Sequence, residues 1–430
     1  MKGDFFSMSK RELSREELII LEKAAKELKK ILEKSIKKNK ISAEIFIGGS
    51  LARRTLVKKD INDIDIFVRF DRKYENQDLS RLLSKIVGQI KIEGQIDKIH
   101  GSRDYFRIMR ENVLFEIIPV LRVRNPKDAK NVTDLSYFHV NYIKNKMKKG
   151  INPREMVKAK AFCKAAGVYG AESYIRGFSG YGLECLIVNY RSFEKMLKEL
   201  TKVKERIILD PERFYKNKDQ IIMELNENKL KSPIVLIDPT WKERNVLAAL
   251  SKESFEKFQE FARAFLKNPS SEFFNFRERD SSKVVEKAKN NKGEFCEILL
   301  NTPKQVGDIA GSKLKKFYNM LIKDVLREFN IIASEFYYSN NEQAFVWIAT
   351  KPKKDLIKEG PLSEMKEHVT EFKKRHPKVF IDKGRIYARI RTSKNLSEFI
   401  KNYKRNYKKK ISEMDISKIK IKREIDFNKL

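Results

Sequence analysis

Cysteine and histidine are scarce in this chain, with three of the former and four of the latter among 430 residues. Cys163, Cys185 and Cys296 lie far apart, and no C-x-x-C or H-x-x-x-H spacing occurs. This pattern argues against a zinc site built from these residue types. It also indicates a protein of the reducing cytoplasm rather than a disulfide-stabilised secreted domain.

Long apolar segments are missing as well. No stretch approaches the roughly 18 consecutive apolar residues of a transmembrane helix. The N-terminal residues MKGDFFSMSK include the acidic Asp4 and lack the apolar core of a signal peptide. We therefore expect no membrane partner and a cytoplasmic location.

Acidic residues are outnumbered by basic ones. Aspartate and glutamate total 59 against 93 lysines and arginines, which gives a formal net charge of +34 and a pI of about 9.8. Solubility does not require so large an excess, so the charge predicts a polyanionic partner such as nucleic acid. Charge alone does not identify that partner.

One segment joins a glycine turn to a pair of carboxylates. A strand predicted over residues 41–47 ends in two glycines, the second of which is Gly49, and a helix is predicted to follow. Glycines let the backbone approach a ligand closely, and backbone N–H groups at such a turn face anions. Ser50 and Arg53 can add a hydroxyl and a guanidinium. The pattern therefore predicts a phosphate-binding turn.

Asp63 and Asp65 follow this turn. Alternation along a strand puts both on one face, with Ile64 and Ile66 on the other. Carboxylate oxygens suit Mg²⁺, and two such ions about 3.5–4 Å apart can activate an attacking hydroxyl and stabilise a departing pyrophosphate. We predict that Asp63 and Asp65 are catalytic ligands of Mg²⁺. The alternative is a solvated edge strand with two surface aspartates.

A third carboxylate is expected from a neighbouring strand. The otherwise apolar run 113–120 contains Glu116, and a charge in such a strand is costly unless it is paired or binds a metal. Glu116 is therefore the predicted third catalytic metal ligand. A salt-bridged structural glutamate is the alternative.

The remaining pattern predicts an α/β (α+β) multidomain protein. A helix over 10–38 precedes the carboxylate strands, and a mainly helical stretch over 153–265 begins with Pro153. After about residue 290 the predicted order is βαββαβ, the split-βαβ arrangement. Its predicted elements are a strand at 295–300, a helix at 311–328, strands at 330–338 and 344–350, a helix at 363–374 and a strand at 378–391.

The C-terminal piece is basic and carries aromatic residues between its cations. Those cations could follow an RNA backbone, with the aromatic residues stacking on bases. A solvated helix face is the alternative. The residues predicted to bind RNA are Lys404, Arg405, Lys408, Lys409 and Lys410, which we call the tail cations.

Longer motifs extend this interpretation from residue 49 to residue 274. They are Gly49-Ser50-x-Ala52-Arg53-x-Thr55, Asp63-Ile64-Asp65-Ile66-Phe67, Glu116-Ile117-Ile118-Pro119, Thr133-Asp134 with Phe138-His139, Lys160, Gly167-Val168-Tyr169-Gly170-Ala171-Glu172, Arg176-Gly177-Phe178-Ser179-Gly180-Tyr181, Asp238-Pro239, Arg244-Asn245-Val246 with Ala248, and Phe273-Phe274. In these motifs the sequence resembles the archaeal-type (class I) CCA-adding enzymes, which rebuild the 3′ end of tRNA without a nucleic-acid template.

The resemblance implies an architecture and a set of substrates. The implied regions are a polymerase-β-like nucleotidyltransferase head, a helical neck with base recognition, a ferredoxin-like βαββαβ body and a basic helical tail. The last two regions would bind tRNA. Two Mg²⁺ ions, CTP, ATP and the tRNA acceptor end are the implied cofactor and substrates. The corresponding boundaries are 1–143, 144–285, 286–395 and 396–430.

The same resemblance assigns roles to single residues. Arg244 would read the incoming base, since a guanidinium has only donors and suits the acceptor N3 of cytosine or N1 of adenine. Two departures stand out: Glu116 replaces the family's usual aspartate, and the spacing from Ser50 to Asp63 is one residue longer than the family pattern. The residues implied to bind the nucleotide are Gly49, Ser50, Arg53, His139, Lys160 and Tyr169.

From the residues alone, alternatives stay open at some of these positions. A lone histidine such as His139 is more often structural than a ligand contact, and Tyr169 can instead cap a helix–turn. Lys160 emerges from a partly apolar helix face, where a buried cation requires an anion.

Three other functions share parts of this pattern. A poly(A)-adding polymerase would share the head but use ATP alone. A catalytically decayed RNA-binding protein would have lost the carboxylates first, and a small-molecule nucleotidyltransferase would not need a net charge of +34. The sequence leaves open how much of CCA is added and the oligomeric state, a homodimer included.

Overall fold

The computed structural model describes most of the chain as two compact units, Met1–Arg277 and Glu278–Leu430. Each unit contains a hydrophobic core of its own. The residues described are 4–276, 280–302, 307–338, 343–353, 356–390, 393 and 395–427.

The first unit alternates helices with strands. Its helices are α1 (Phe5–Met8), α2 (Arg15–Lys38), α3 (Gly49–Ala52), α4 (Leu79–Val87), α5 (Ser136–Lys148), α6 (Pro153–Ala165), α7 (Gly180–Tyr190), α8 (Phe193–Leu200), α9 (Lys218–Glu224), α10 (Glu227–Leu230) and α11 (Lys252–Lys267). Its strands are β1 (Ala43–Ile47), β2 (Asn62–Phe70), β3 (Gln95–Ile99), β4 (Tyr105–Arg110), β5 (Val113–Leu121), β6 (Ile207–Leu209), β7 (Ile234–Asp238) and β8 (Trp241–Asn245).

The second unit is richer in strands. Its helices are α12 (Ser282–Asn290), α13 (Gly307–Glu328), α14 (Lys366–Arg375), α15 (Leu396–Asn406) and α16 (Lys408–Glu413). Its strands are β9 (Glu294–Asn301), β10 (Phe329–Tyr338), β11 (Gln343–Pro352), β12 (Leu356–Leu362), β13 (Val379–Asp382), β14 (Arg385–Ile390) and β15 (Lys418–Asp426). None of the helices in the described part of the chain is long and apolar enough to cross a membrane.

The N-terminal sheet brings the predicted carboxylate strands side by side. Its order is β1-β2-β5-β4-β3, with β2 parallel to β5 and the other neighbours antiparallel. Helix α2 begins with a capping box between Ser14 and Glu17 and packs Leu28 and Leu32 into the core. The helix, strand and turn order predicted for this region is confirmed.

The segment predicted to be mainly helical also contains a small sheet. Helices α6 and α7 contribute to a core rich in phenylalanine, in which Phe162 and Phe178 both contact Phe258. As predicted, Pro153 occupies the first turn of α6, after Asn152 as N-cap. Strands β6, β7 and β8 were not predicted, because a short, fully buried run such as β7 cannot be distinguished from a helix by periodicity.

The second unit has the predicted split-βαβ order, but its last two elements differ from the prediction. The sheet order is β10-β11-β9-β15, and all neighbours are antiparallel. The second helix is α15 rather than 363–374, and the last strand is β15 rather than 378–391. The tail is therefore only partly helical. Ile419 and Ile421 alternate with lysines, and this period of two determines the strand despite its charge.

The elements predicted to complete that sheet form a separate one. Strands β12, β14 and β13 pair in antiparallel fashion, and α14 packs against β12. The single strand predicted at 378–391 is a hairpin instead. Lys383 and Gly384 both have positive φ, 45° and 75°, which reverses the chain in a two-residue turn.

The tail cations all lie at the surface of α15 and α16, whereas the neighbouring aromatic residues Tyr403 and Tyr407 are buried and half-buried. Tyr403 is buried against Phe399 and Phe317, and Tyr407 packs on Tyr403 with ring centroids 4.4 Å apart. In this segment, therefore, Tyr403 contributes to the core of the second unit rather than to a stacking surface for bases.

The assignment of β15 to the body sheet can be tested with neighbouring residues on opposite faces. Ile419 is buried and Lys420 is exposed. We expect Ile419→Asp to lower the free energy of unfolding of the second unit by more than about 2 kcal/mol, because it buries an unpaired charge. Lys420→Asp, the matched control, should change it by only about 0.5 kcal/mol.

The two tryptophans of the chain, Trp241 and Trp347, lie in different units. Urea titrations followed by Trp347 fluorescence in a Trp241→Phe background therefore isolate the second unit. Equal effects of the two β15 substitutions would contradict the strand assignment.

Candidate active site

The three predicted metal-binding carboxylates lie on adjoining strands. Strands β2 and β5 run parallel with Asp65 in register with Glu116, and Asp63 lies on the same face of β2. Ile64 and Ile66 on the opposite face are fully buried, as the alternation predicts. We call Asp63, Asp65 and Glu116 the head carboxylates.

The glycine turn contacts the central carboxylate. The backbone N–H of Gly48 donates to the carbonyl oxygen of Asp65 at 2.9 Å. Gly49 has a φ of +59°, and a Cβ at this position would overlap the Asp65 carboxylate. Only glycine fits there, for both reasons. The half-buried Ser50 follows in the short helix α3, so the predicted phosphate-binding turn lies beside the head carboxylates.

Two cations that sequence reasoning missed contact the outer head carboxylates. Lys59 pairs with Asp63, and Arg107 Nε lies 2.9 Å from Glu116 Oε1. Arg107 is directly opposite Glu116 on β4, a register that the sequence does not reveal. Withdrawal from solvent and the charge of Glu116 raise the pKa of Asp65 to about 7. The charges of Arg53 and Lys59 act in the opposite direction, but they do not outweigh burial and the neighbouring carboxylates.

The chemistry of the head carboxylates fits a hard divalent cation. Mg²⁺ prefers carboxylate oxygens, and a cation would relieve the repulsion that raises the pKa of Asp65. Within the described residues, no three candidate side chains are already gathered around one point. Lys59 pairs with Oδ2 of Asp63 and Arg107 with Oε1 of Glu116, so a metal ion would bind the second oxygen of each carboxylate or displace its cation.

Two of the predicted phosphate ligands share one buried glutamate. Arg53 Nε and Lys160 Nζ lie 2.7 and 2.6 Å from different carboxylate oxygens of Glu184, and the Thr55 hydroxyl donates to it at 2.5 Å. Burial alone would raise the pKa of Glu184, but the charges of Arg53 and Lys160 outweigh it and lower that pKa to about 2. The Lys160 ammonium thus contacts protein atoms, and its contact with phosphate stays a prediction.

Glu184 was not identified from the sequence, although a signal exists. It is a charged residue in the apolar run of α7, the same signal that identified Glu116 in β5. The distant partners Arg53 and Lys160 were identified only through the family motifs.

Lys164 is a further cation that sequence reasoning missed. It lies one turn after Lys160 on α6, and its Nζ is 4.0 Å from the ring centroid of Tyr169, a cation–π contact. Burial and the charge of Lys59 lower the pKa of Lys164 to about 7. The protein therefore stabilises this ammonium poorly, and an anion such as phosphate would stabilise it.

The predicted base reader and the predicted histidine ligand meet at Asp238. Asp238 Oδ2 accepts a hydrogen bond from Arg244 Nη1 at 2.6 Å and lies 3.2 Å from His139 Nε2. Tyr181 stacks on His139 with ring centroids 3.8 Å apart. Burial lowers the pKa of His139 despite its contact with Asp238, and the charges of Arg244 and Arg53 act in the same direction.

Arg53 connects the two groups of residues, because its charge acts on Asp65 as well as on His139. The first unit therefore contains every predicted catalytic, nucleotide-binding and base-reading residue. The tail cations belong to the second unit and are exposed there.

The buried Glu184 pair makes a prediction about stability and pH. Glu184→Gln should lower the free energy of unfolding of the first unit by about 3–5 kcal/mol at pH 7, because two buried cations lose their anion. The folded pKa of Glu184, about 2, lies below its ordinary value of 4.5. Its contribution is therefore complete above about pH 4.5 and is lost as the pH falls towards 2.

Urea titrations at several pH values, followed by Trp241 fluorescence in a Trp347→Phe background, test this prediction. The difference between parent and variant should shrink below pH 4.5. Glu199→Gln removes an exposed glutamate paired with Lys202 and is the matched control, for which we expect little change at any pH. A difference for Glu184→Gln that stays constant down to pH 3 would contradict the assigned ion pairs.

Two family models match segments of the first unit. A family model described as tRNA nucleotidyltransferase, second domain, matches residues 155–275, and one described as Second Messenger Oligonucleotide or Dinucleotide Synthetase domain matches residues 5–137. A solved structure of the Cid1 poly(U) polymerase shares 12% identity over 64% of this chain with a TM-score of 0.47, which is too weak a similarity to support an inference.

Curated relatives align over most of the chain. The CCA-adding enzyme of Methanocaldococcus jannaschii is 30% identical over 357 residues, 80% of this chain and 77% of the relative. The CCA-adding enzyme of Nanoarchaeum equitans is 32% identical over 371 residues, 84% of this chain and 87% of the relative. These identities extend over most of the length of both proteins, and the chain belongs to the archaeal-type CCA-adding enzyme family.

Proposed function

We propose that this chain adds C, C and A to the 3′ end of tRNA from CTP and ATP, without a nucleic-acid template. The observation that carries the proposal is the set of head carboxylates beside a glycine turn in a member of the CCA-adding family. A net charge of +34 suits a tRNA partner, because contacts with phosphates supply much of the affinity for nucleic acid.

In this proposal the tRNA 3′-hydroxyl attacks the α-phosphate of the bound nucleotide, and pyrophosphate leaves. The head carboxylates would hold two Mg²⁺ ions, which lower the pKa of the attacking hydroxyl and stabilise the departing oxygens when bound. The contribution of the protein's own residues is to position the carboxylates. Strands β2 and β5 hold Asp65 and Glu116 in register, and Ile64 and Ile66, buried on the opposite face of β2, anchor that strand in the core.

The triphosphate is proposed to lie along the glycine turn. Backbone N–H groups at Gly49 and Ser50 would donate to it, as they do in other anion-binding turns. Arg53 would contribute its guanidinium, oriented through Nε by Glu184. His139 is proposed to contact the same phosphates.

Two lysines of α6 are proposed to act differently on the triphosphate. Lys160 pairs with Glu184, so its proposed role is to balance the charge that orients Arg53. Lys164 is proposed as an additional phosphate ligand, because its ammonium lies over Tyr169 and is poorly stabilised by the protein. Tyr169 would then position Lys164 as well as contact the nucleotide.

Arg244 is proposed to read the base. Its Nη1 is bound to Asp238, which leaves the other donors of the planar group for a ligand. Cytosine and adenine offer a ring acceptor beside an amino group, whereas uracil and guanine offer a ring N–H. Leaving a buried donor unpaired costs about 1–3 kcal/mol, or about 5- to 150-fold in selectivity.

The wider organisation is also part of the proposal. The tail cations would contact the tRNA backbone, and the three buried free cysteines agree with a cytoplasmic location. A homodimer is compatible with this function but not required by it. The proposed regions are a head at 1–143, a neck at 144–285, a body at 286–395 and a tail at 396–430.

The function is tested by supplying CTP and ATP, separately and together, to a tRNA that lacks its 3′ CCA. We expect two C residues from CTP alone, a complete CCA from the mixture, and no extension from ATP alone. Asp65→Asn should reduce transfer by about 1000-fold, because metal ions contribute several kcal/mol of transition-state stabilisation. Its affinity for tRNA should be nearly unchanged.

The matched control is Asp60→Asn, an exposed aspartate near the start of β2 that should retain full activity. Long A tails from ATP alone would identify a poly(A)-adding polymerase instead. Substantial transfer by Asp65→Asn would exclude Asp65 as a metal ligand.

The tail cations make a separate prediction about salt dependence. Replacing all five by alanine should weaken tRNA binding without changing which nucleotide is added. The slope of log K against log salt should become shallower by about 0.7–0.9 for each tRNA phosphate that the variant no longer neutralises. Filter-binding titrations at several salt concentrations measure this slope.

The control removes the same number of exposed positive charges from α2. A tail variant that binds like this control, or that changes nucleotide choice at unchanged affinity, would contradict the proposed role. The α2 residues replaced by alanine are Lys23, Lys26, Lys30, Lys34 and Lys37.

A further inference from the structure

Asp238 is a fully buried carboxylate at the end of β7. The other four residues of that strand are apolar and buried, so a charge there is costly unless it is compensated. Burial would raise the pKa of Asp238, but the hydrogen bond and charge of His139 and the charge of Arg244 hold it well below its usual range. The group is therefore a carboxylate at neutral pH.

The two carboxylate oxygens of Asp238 have different partners. Oδ1 accepts from the backbone N–H and the hydroxyl of Thr240, both at 2.8 Å, and from the Tyr181 hydroxyl at 3.3 Å. These bonds restrain rotation of the carboxylate. Oδ2 is left to face His139 and Arg244, at 3.2 and 2.6 Å.

One oxygen atom is thus shared by the residue proposed for the phosphates and the residue proposed for the base. Arg244 is partly exposed, at 23% of its side chain, and its guanidinium is anchored by the ion pair of Nη1 with Asp238. This ion pair restricts the rotamers of the long Arg244 side chain and so fixes the direction of its guanidinium. Without the pair, the side chain would sample many rotamers. His139 is held by the same oxygen and by its stacking on Tyr181.

We propose that Asp238 is a positioning residue that aims Arg244 at the base and couples this aim to His139. The inference rests on the proposed function and extends it. Base selection then depends on His139, although the contact proposed for His139 is with the phosphates. His139 and Arg244 are expected to move together, because a shift of Asp238 Oδ2 displaces both side chains.

This coupling can be separated from ordinary phosphate binding. The triphosphate is the same in all four nucleotides, so a weaker hold on the phosphates alone lowers kcat/KM for all four by the same factor. If Arg244 is no longer correctly oriented, kcat/KM falls selectively for CTP and ATP. The ratio of kcat/KM for CTP to that for UTP is therefore the readout, since a merely structural role would not change it.

The experiment measures this ratio for the full chain on tRNA lacking CCA. We expect Asp238→Asn, which keeps the size but removes the charge, to reduce the ratio about 10-fold or more. We expect His139→Ala to reduce both the overall rate and the ratio. The double variant should have the ratio of Asp238→Asn alone, because both changes act through one oxygen.

The matched control is Asp134→Asn. Asp134 is also a fully buried aspartate of the first unit paired with an arginine, Arg103, whose Nη2 lies 3.1 Å from Asp134 Oδ2. Its substitution should destabilise the protein to a similar degree without changing the CTP-to-UTP ratio. If Asp238→Asn does not fold, the CTP-to-UTP ratio is measured for His139→Ala and for Tyr181→Phe instead. Tyr181→Phe removes one hydrogen bond from Asp238.

Each outcome is assigned to one claim. A wild-type chain that adds neither C nor A to tRNA overturns the proposed function. If the wild-type chain selects C and A, an unchanged CTP-to-UTP ratio in Asp238→Asn, or in Tyr181→Phe where Asp238→Asn does not fold, overturns the positioning role of Asp238. An unchanged ratio in His139→Ala overturns the coupling to His139.

Discussion

Repulsion among three carboxylates on adjoining strands is the constraint on which the first unit depends. Two unit charges 4 Å apart repel by about 4 kcal/mol at an effective dielectric constant of 20. The structure offsets this with Lys59 beside Asp63 and Arg107 beside Glu116. Asp65, between them, is left with a pKa raised to about 7. The sheet core beneath must hold this arrangement together.

Buried acids perform a second task, which is to orient the cations that face a ligand. Glu184 holds Arg53, and Asp238 holds Arg244, each through one end of the guanidinium. A guanidinium anchored in this way loses little freedom when it binds a ligand. The free energy needed to bury the two carboxylates is thus offset by their own ion pairs, and the site is organised before the substrate arrives.

Local patterns predicted most of the head and the order of the body, because they depend on neighbours in sequence. Alternation identified the face that carries Asp63 and Asp65, and the apolar run around Glu116 identified the third strand. The contacts of Arg107 and Lys164 were missed, because they depend on strand register and on packing between distant elements. Family motifs identified Arg53 and Lys160, but not the glutamate that they share.

The errors in the second unit have a physical cause of the same kind. A run of lysines and tyrosines at 403–410 favours a solvated helix locally, and it is helical. The following Ile419 and Ile421 form a strand only because the edge of β9 is available to pair with them. The charge pattern correctly predicted that the lysines of this segment are exposed. The place of β15 in the sheet could not be predicted in this way, because it depends on pairing with β9 near the start of the unit.

That pairing has a consequence for synthesis on the ribosome. Strand β9 begins the sheet of the second unit, and its neighbour β15 lies near the other end of the unit. The sheet therefore cannot close until residues 418–426 have left the exit tunnel, whereas the first unit has all of its strands much earlier. During that interval the edge of β9 that later pairs with β15 is unpaired and available to other strands.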